Sequence, residues 1–190
     1  FRSIADMCLD FDRVRIWLAG LVAEKKVSGV AAAVSVKGER VFTACEGFTD
    51  PCKNIRVSPH TVFRLASMTK PVTAAAVLLC NERGLLSLDD PVSRFFPSYR
   101  DMYVAERNGE GEYLRGQHAS EITLRQLLTH SSGLGSGACG DAFYTSVKPH
   151  AGDTLCSAVE RYAGCLLDFM PGTAQYYSAV LGFDVLAAVV

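Results

Sequence analysis

FRLASMTKPVTAAAVLLCNERGLLSLDDPVSRFFP, residues 63–97, is the stretch from which the rest of the chain is read. From Ser67 to Arg83 it is apolar on nearly every side of a helix (Val72, Ala74, Ala75, Ala76, Val77, Leu78, Leu79), with Gly84 placed as a stop. That pattern predicts a buried central helix. Ser67 and Lys70 stand three residues apart at its mouth and therefore share a face. A serine hydroxyl is a weak nucleophile and needs an adjacent base, which a lysine can be only when it is neutral part of the time. Burial and the positive end of a helix dipole both favour that neutral state. Pro71 is compatible with an early helical turn. Taken alone, Ser67 fits a helix cap as well as a nucleophile, so its context has to decide.

Upstream, Phe11, Val14, Leu18, Leu21 and Val22 recur at helical spacing and predict an amphipathic helix ending near Lys26. Val30–Val36, the turn Lys37-Gly38-Glu39 and Val41–Cys45 read as a β-hairpin, and Gly47–Ser58 as a loop. Downstream, Asp89-Asp90-Pro91 opens a short helix ending before Pro97, with the aspartates as caps, and Asn108–Ser120 is a polar surface excursion. Thr123 caps a helix through Leu128, Gly133–Gly140 reads as flexible, Thr154–Tyr162 as a helix, and a last apolar helix starts near Ser178. Nothing in the sequence terminates that helix, and the strands are too few to complete a sheet.

The composition narrows the function. With 49% apolar and 21% charged residues among 190, the chain is globular rather than disordered. Its 19 basic and 20 acidic residues give a net charge of −1, which argues against nucleic acid or an anionic membrane as a partner. The seven cysteines (Cys8, Cys45, Cys52, Cys80, Cys139, Cys156, Cys165) form no Cys-x-x-Cys pair, and His60, His118, His130 and His150 lack ligand spacing, so no metal or other cofactor is expected. Scattered thiols favour a reducing compartment, hence a cytoplasmic location. The opening Phe1-Arg2-Ser3, with Asp6, Asp10 and Asp12 following, does not read as a secretory leader, and the runs Ala74–Cys80 and Val185–Val190 are too short to span a bilayer.

Three blocks then occur in order: residues 63–97 above, ITLRQLLTHSSGL (122–134) and PGTAQYYSAVLGFDVL (171–186). From about Val27 to Val190 they resemble the β-lactamase-related serine hydrolases, which join class C β-lactamases, D-alanyl-D-alanine carboxypeptidases and family VIII esterases. The resemblance implies an α+β, β-lactamase/transpeptidase-like fold, an antiparallel sheet flanked by helices plus a helical lobe, of which these residues match the N-terminal portion. Residues 1–66 would supply the first helix and hairpin of the α/β lobe. Residues 67–190 would supply the nucleophile helix and the helical lobe, with the family's C-terminal strands absent.

The same resemblance implies that Ser67 is the acylated nucleophile, Lys70 its hydrogen-bonded partner and Tyr177 the second basic group. Tyr177-Ser178-Ala179 matches the family's Tyr-x-Asn in position, whereas Tyr176 lies one residue out of register. A phenolate near an ammonium is physically reasonable, since each charge favours the other. Ala179 departs from the pattern, because a methyl group cannot hydrogen-bond a substrate carbonyl or hold the lysine. The implied function is therefore a serine hydrolase working through an acyl-serine, a carboxylesterase on small esters. The alternatives are β-lactamase or D-alanyl-D-alanine carboxypeptidase-like activity, or a non-catalytic penicillin-binding-type relative. His130 and Asp89 or Asp90 could suggest a Ser-His-Asp triad, but the resemblance makes His130 a structural helix end before a tight turn at Gly133. The implied partners are a small ester or amide and the C-terminal half of the enzyme, from the same or a complementing chain, since a strand bearing Lys or His, then Gly, would complete the site and its oxyanion hole.

Overall fold

Apolar positions at helical spacing form α1 (Asp12–Ala23), which turns Leu18 inward and leaves its charged residues in solvent. The computed structural model describes residues 10–147 and 150–190, grouped in two compact units, Phe1–Arg64 and Leu65–Val190. The readings that fell on Phe1–Cys8 lie outside the described residues.

In the first unit, β1 (Gly29–Val36) pairs antiparallel with β2 (Glu39–Asp50) through the two-residue turn Lys37-Gly38. Both turn residues have positive φ, 50° and 85°, which glycine adopts without strain. Alternation along β2 buries Phe42 and Ala44 against Leu18, and Phe11 stacks on Phe42 with centroids 4.6 Å apart. Residues 47–58, expected as a loop, do otherwise. β2 runs on to Asp50, reverses through a 3-10 turn at Pro51–Lys53, and returns as β3 (Ile55–Arg56), giving the order β1-β2-β3. The turn-forming residues mark the reversal between two strands, and β3 is too short to show alternation.

The second unit opens with a 3-10 turn, Ala66–Met68, followed by α2 (Thr69–Glu82). The expectation of an all-round buried helix does not hold here. Only Val77 is buried; Val72, Leu78 and Leu79 are 63%, 48% and 45% exposed. α2 packs on α6 (Leu181–Val189), and within this unit its other apolar face is left open.

Two single 3-10 turns, Val92–Arg94 and Pro97–Tyr99, replace the short helix expected after Asp90, since Pro91 and Pro97 leave no room for a longer one. Neither aspartate caps them. Asp90 accepts from Ser87 N–H (2.7 Å) and pairs with Arg94, while Asp89 holds Arg125 through two contacts of 2.8 and 3.1 Å. The supposed surface excursion is a second hairpin, β4 (Tyr103–Arg107) with β5 (Tyr113–His118), whose loop is tied by the Asn108 side chain accepting from the Glu110 and Glu112 amides. Its cross-strand contacts are largely polar, for example Arg115 over the Tyr103 ring, so no apolar alternation was available to read.

α3 (Leu124–Leu128) and α5 (Leu155–Tyr162) each begin with the expected threonine, as reciprocal capping boxes Thr123/Gln126 and Thr154/Ser157. The segment expected to be flexible is instead packed. Leu134 is fully buried, and the Asp168 carboxylate accepts from the Ser136, Cys139 and Gly140 amides at 3.0, 2.9 and 3.2 Å, capping α4 (Ala138–Ser146). A Cβ on Gly140 would lie 2.3 Å from Gly135 Cα, so glycine serves close approach there rather than mobility. Val77, Leu124, Leu127, Val159, Leu167 and Leu186 meet in the core, where the buried Tyr99 hydroxyl donates to Val159 O at 2.7 Å.

Candidate active site

Ser67 sits in the 3-10 turn just ahead of α2, after Ala66, whose φ of +47° is left-handed for a residue with a side chain. That turn leaves Ser67 exposed and one helical step from Lys70 in the first turn of α2. Lys70 Nζ donates to Ser67 Oγ at 3.3 Å and to the Ala179 carbonyl at 2.6 Å. From the other side the Tyr177 hydroxyl donates to Ser67 Oγ at 2.8 Å. The structure thus brings together all three residues singled out in the sequence. Tyr176 is largely exposed.

Tyr177 comes from residues 171–178, which run alongside the end of α3. Gly172 N–H donates to Ser131 O (2.8 Å), Gln175 Nε2 to Thr129 O (3.0 Å), and Tyr176 N–H to His130 O (3.0 Å). Ser178 N–H donates to His130 Nδ1 (3.1 Å), and the buried Ser178 hydroxyl accepts from Gly182 N–H, fixing the entry to α6. α6 starts at Leu181 rather than at Ser178 because Ser178 serves this anchoring role.

The electrostatics favour a proton acceptor next to Ser67. Once ionised, the Tyr177 oxygen would accept from Ser67 first and from Lys70 second, and this favours the phenolate and holds the phenol below its ordinary pKa, against desolvation. Lys70 Nζ lies 5.1 Å from the Tyr177 ring centroid and 5.5 Å from that of Phe183. The Ala179 methyl cannot hold the lysine, as its type requires, but the Ala179 backbone carbonyl does, so the loss of an amide there leaves Lys70 anchored.

These groups open onto a cleft of about 370 Å³ lined by Ser67, Lys70, Thr73, Ala179, Phe183 and Asp184. Nothing local in the sequence marks Asp184 as a site residue beyond its being the one charge in the apolar run of α6. Burial pushes its carboxyl up, opposed by the Tyr162 hydroxyl donating at 3.2 Å and by the Lys70 charge. The sequence predicts His130 as a helix end. It does end α3, with φ of +56°, and it also touches the Tyr177 ring at 4.8 Å. Asp89 is engaged with Arg125, so it forms no triad with His130. Among the described residues no cluster of three or more His, Cys, Asp or Glu could hold a metal ion, and no helix is long and apolar enough to cross a membrane.

Comparison with known proteins adds a family to this geometry. The family model described as beta-lactamase matches residues 14–190. Esterase EstB of Burkholderia gladioli is 36% identical over 174 residues, covering 88% of this chain and 41% of the esterase. Among solved structures, EstCE1, a hydrolase with promiscuous acyltransferase activity, matches with a TM-score of 0.75 at 26% identity, covering 98% of this chain and 47% of that one. Simvastatin synthase (LovD) from Aspergillus terreus matches at 0.71 and 29% identity, covering 96% and 47%. The chain spans less than half the length of these relatives.

Proposed function

The chain belongs to the β-lactamase family of serine hydrolases, with the β-lactamase/transpeptidase-like α+β fold, and on that premise we propose that it supplies the nucleophile, its lysine partner and its tyrosine base to a carboxylesterase acting on small esters. The observation that carries this reading is the convergence of Lys70 Nζ and the Tyr177 hydroxyl on Ser67 Oγ at 3.3 and 2.8 Å.

In the proposed reaction the Tyr177 phenolate accepts the Ser67 proton as Oγ attacks the ester carbonyl carbon. The Lys70 ammonium steadies the phenolate and the developing negative charge. Collapse of the tetrahedral intermediate breaks the acyl–oxygen bond, and the alcohol leaves with the proton held by Tyr177. Water then attacks the acyl-serine, gives its proton to Tyr177, and releases the acid as Ser67 Oγ is reprotonated. The Ser67 amide can serve as one oxyanion donor. A second is assigned to the C-terminal half of the enzyme, as is cover for the exposed face of α2.

Support for an ester over a β-lactam comes from Ala179, which offers no side-chain amide to a substrate carbonyl, and from the esterase and acyltransferase relatives, whose reactions share an acyl-transfer step. The test is labelling of the full-length protein by a fluorophosphonate, alongside turnover of p-nitrophenyl acetate. Ser67→Ala is expected to abolish both, and labelling or turnover at wild-type rates in that variant would end the hydrolase reading.

A further inference from the structure

We infer that His130 is a positioning residue for Tyr177, a clamp that holds the tyrosine on Ser67 only while its imidazole is neutral. The inference rests on the reading of Tyr177 as the base and concerns how that base is kept in place.

His130 grips the chain on both sides of Tyr177. Its carbonyl accepts from the Tyr176 amide at 3.0 Å and its Nδ1 accepts from the Ser178 amide at 3.1 Å. The amides of the residues before and after Tyr177 are therefore tied to one residue. The ring itself packs between Tyr177 and Phe183, with centroids 4.8 and 5.2 Å away. The backbone of His130 is held at a φ of +56°, which few side chains adopt freely, and this aims the carbonyl and the ring at the same segment.

An Nδ1 that accepts an N–H carries no proton, so the imidazole is the neutral Nε2–H form. Protonation would set one N–H against another at Ser178 and place a cation near Lys70. The groups acting on the ring are Lys70 from α2, the Tyr177 phenol, and from α6 the uncharged Phe183; Asp184 on α6 is engaged by Tyr162. Burial first, then the Lys70 charge, hold the His130 pKa below the ordinary 6.5. The sign follows: the clamp is intact above that value and is lost as the pH falls through the lowered one.

Two substitutions in the full-length protein separate the clamp from simple packing. In His130→Asn the Oδ1 stands where Nδ1 stood, asparagine tolerates a positive φ, and nothing titrates. His130→Leu keeps bulk but removes the acceptor. For ester hydrolysis, His130→Leu is expected to lower kcat by about 10-fold or more with KM within roughly threefold. His130→Asn should retain most of kcat. Wild-type kcat in the leucine variant, or a loss in the asparagine variant as large as in the leucine one, would overturn the inference. If the leucine variant does not fold, the asparagine variant and the imidazole titration decide. Should Ser67 prove unreactive toward fluorophosphonate, the hydrolase reading fails on its own, and the clamp is still read by imidazole ¹⁵N NMR. A neutral Nε2–H tautomer titrating below 6.5 supports it; an Nδ1–H tautomer, or titration at or above that value, refutes it.

Discussion

Replacing Tyr177 by phenylalanine removes one oxygen and leaves the ring contacts with His130 and Lys70 in place. The lost oxygen is the hydroxyl 2.8 Å from Ser67 Oγ, on a side chain that is 52% exposed. Because no buried partner is orphaned, the fold should be spared, with Tm within about 3 °C of wild type. The rate should not be spared, since removing a positioned general base costs roughly 10²–10⁴-fold. Lys70 remains 3.3 Å from Ser67 Oγ and, with no phenolate beside it to hold its proton, can act as the base once deprotonated, which sets the expectation at the lower end, about 10²–10³-fold in kcat/KM. The assay is p-nitrophenyl acetate hydrolysis by the full-length enzyme, with Tyr176→Phe as a control whose rate should stay within about twofold. A Tyr177→Phe enzyme within threefold of wild type would show that the close contact with Ser67 is structural and that the base lies elsewhere.

The absence of an amide side chain at Ala179 predicts a higher kcat/KM for short-chain esters than for cephalosporins in the full-length enzyme, and a cephalosporin preferred by a wide margin in a side-by-side comparison would count against it. Tyr99→Phe should leave the Val159 carbonyl without its buried donor and lower stability by about 1–3 kcal/mol in a urea titration, with no change in m; a midpoint equal to wild type would refute that accounting.

Local chemistry carried much of what the sequence determined. The turn at Lys37-Gly38 and the capping threonines Thr123 and Thr154 are decided within a few residues, so each was legible before any tertiary contact was known. Ser67 and Lys70 belong to this class, because a spacing of three places both on one helical face. The short strands β3 and β5 do not, since their pairing depends on partners rather than on a pattern of their own. The cover of α2 belongs with them: composition reports which faces are apolar, whereas only packed neighbours decide which of them are covered.

Tertiary structure alone decided how the site is assembled. Tyr177 reaches Ser67 across 110 positions of chain, and its approach depends on the hydrogen bonds that lay residues 171–178 along the end of α3. No local pattern could show that Ala179 anchors Lys70 through its carbonyl, because every residue has a carbonyl and only the fold aims it. The same holds for Asp168, whose side chain satisfies amides about thirty positions away, and for His130, a turn residue by sequence that becomes the neighbour of Tyr177 by packing. Residue type and spacing set which chemistry each group can perform, and the long-range hydrogen bonds set which groups meet.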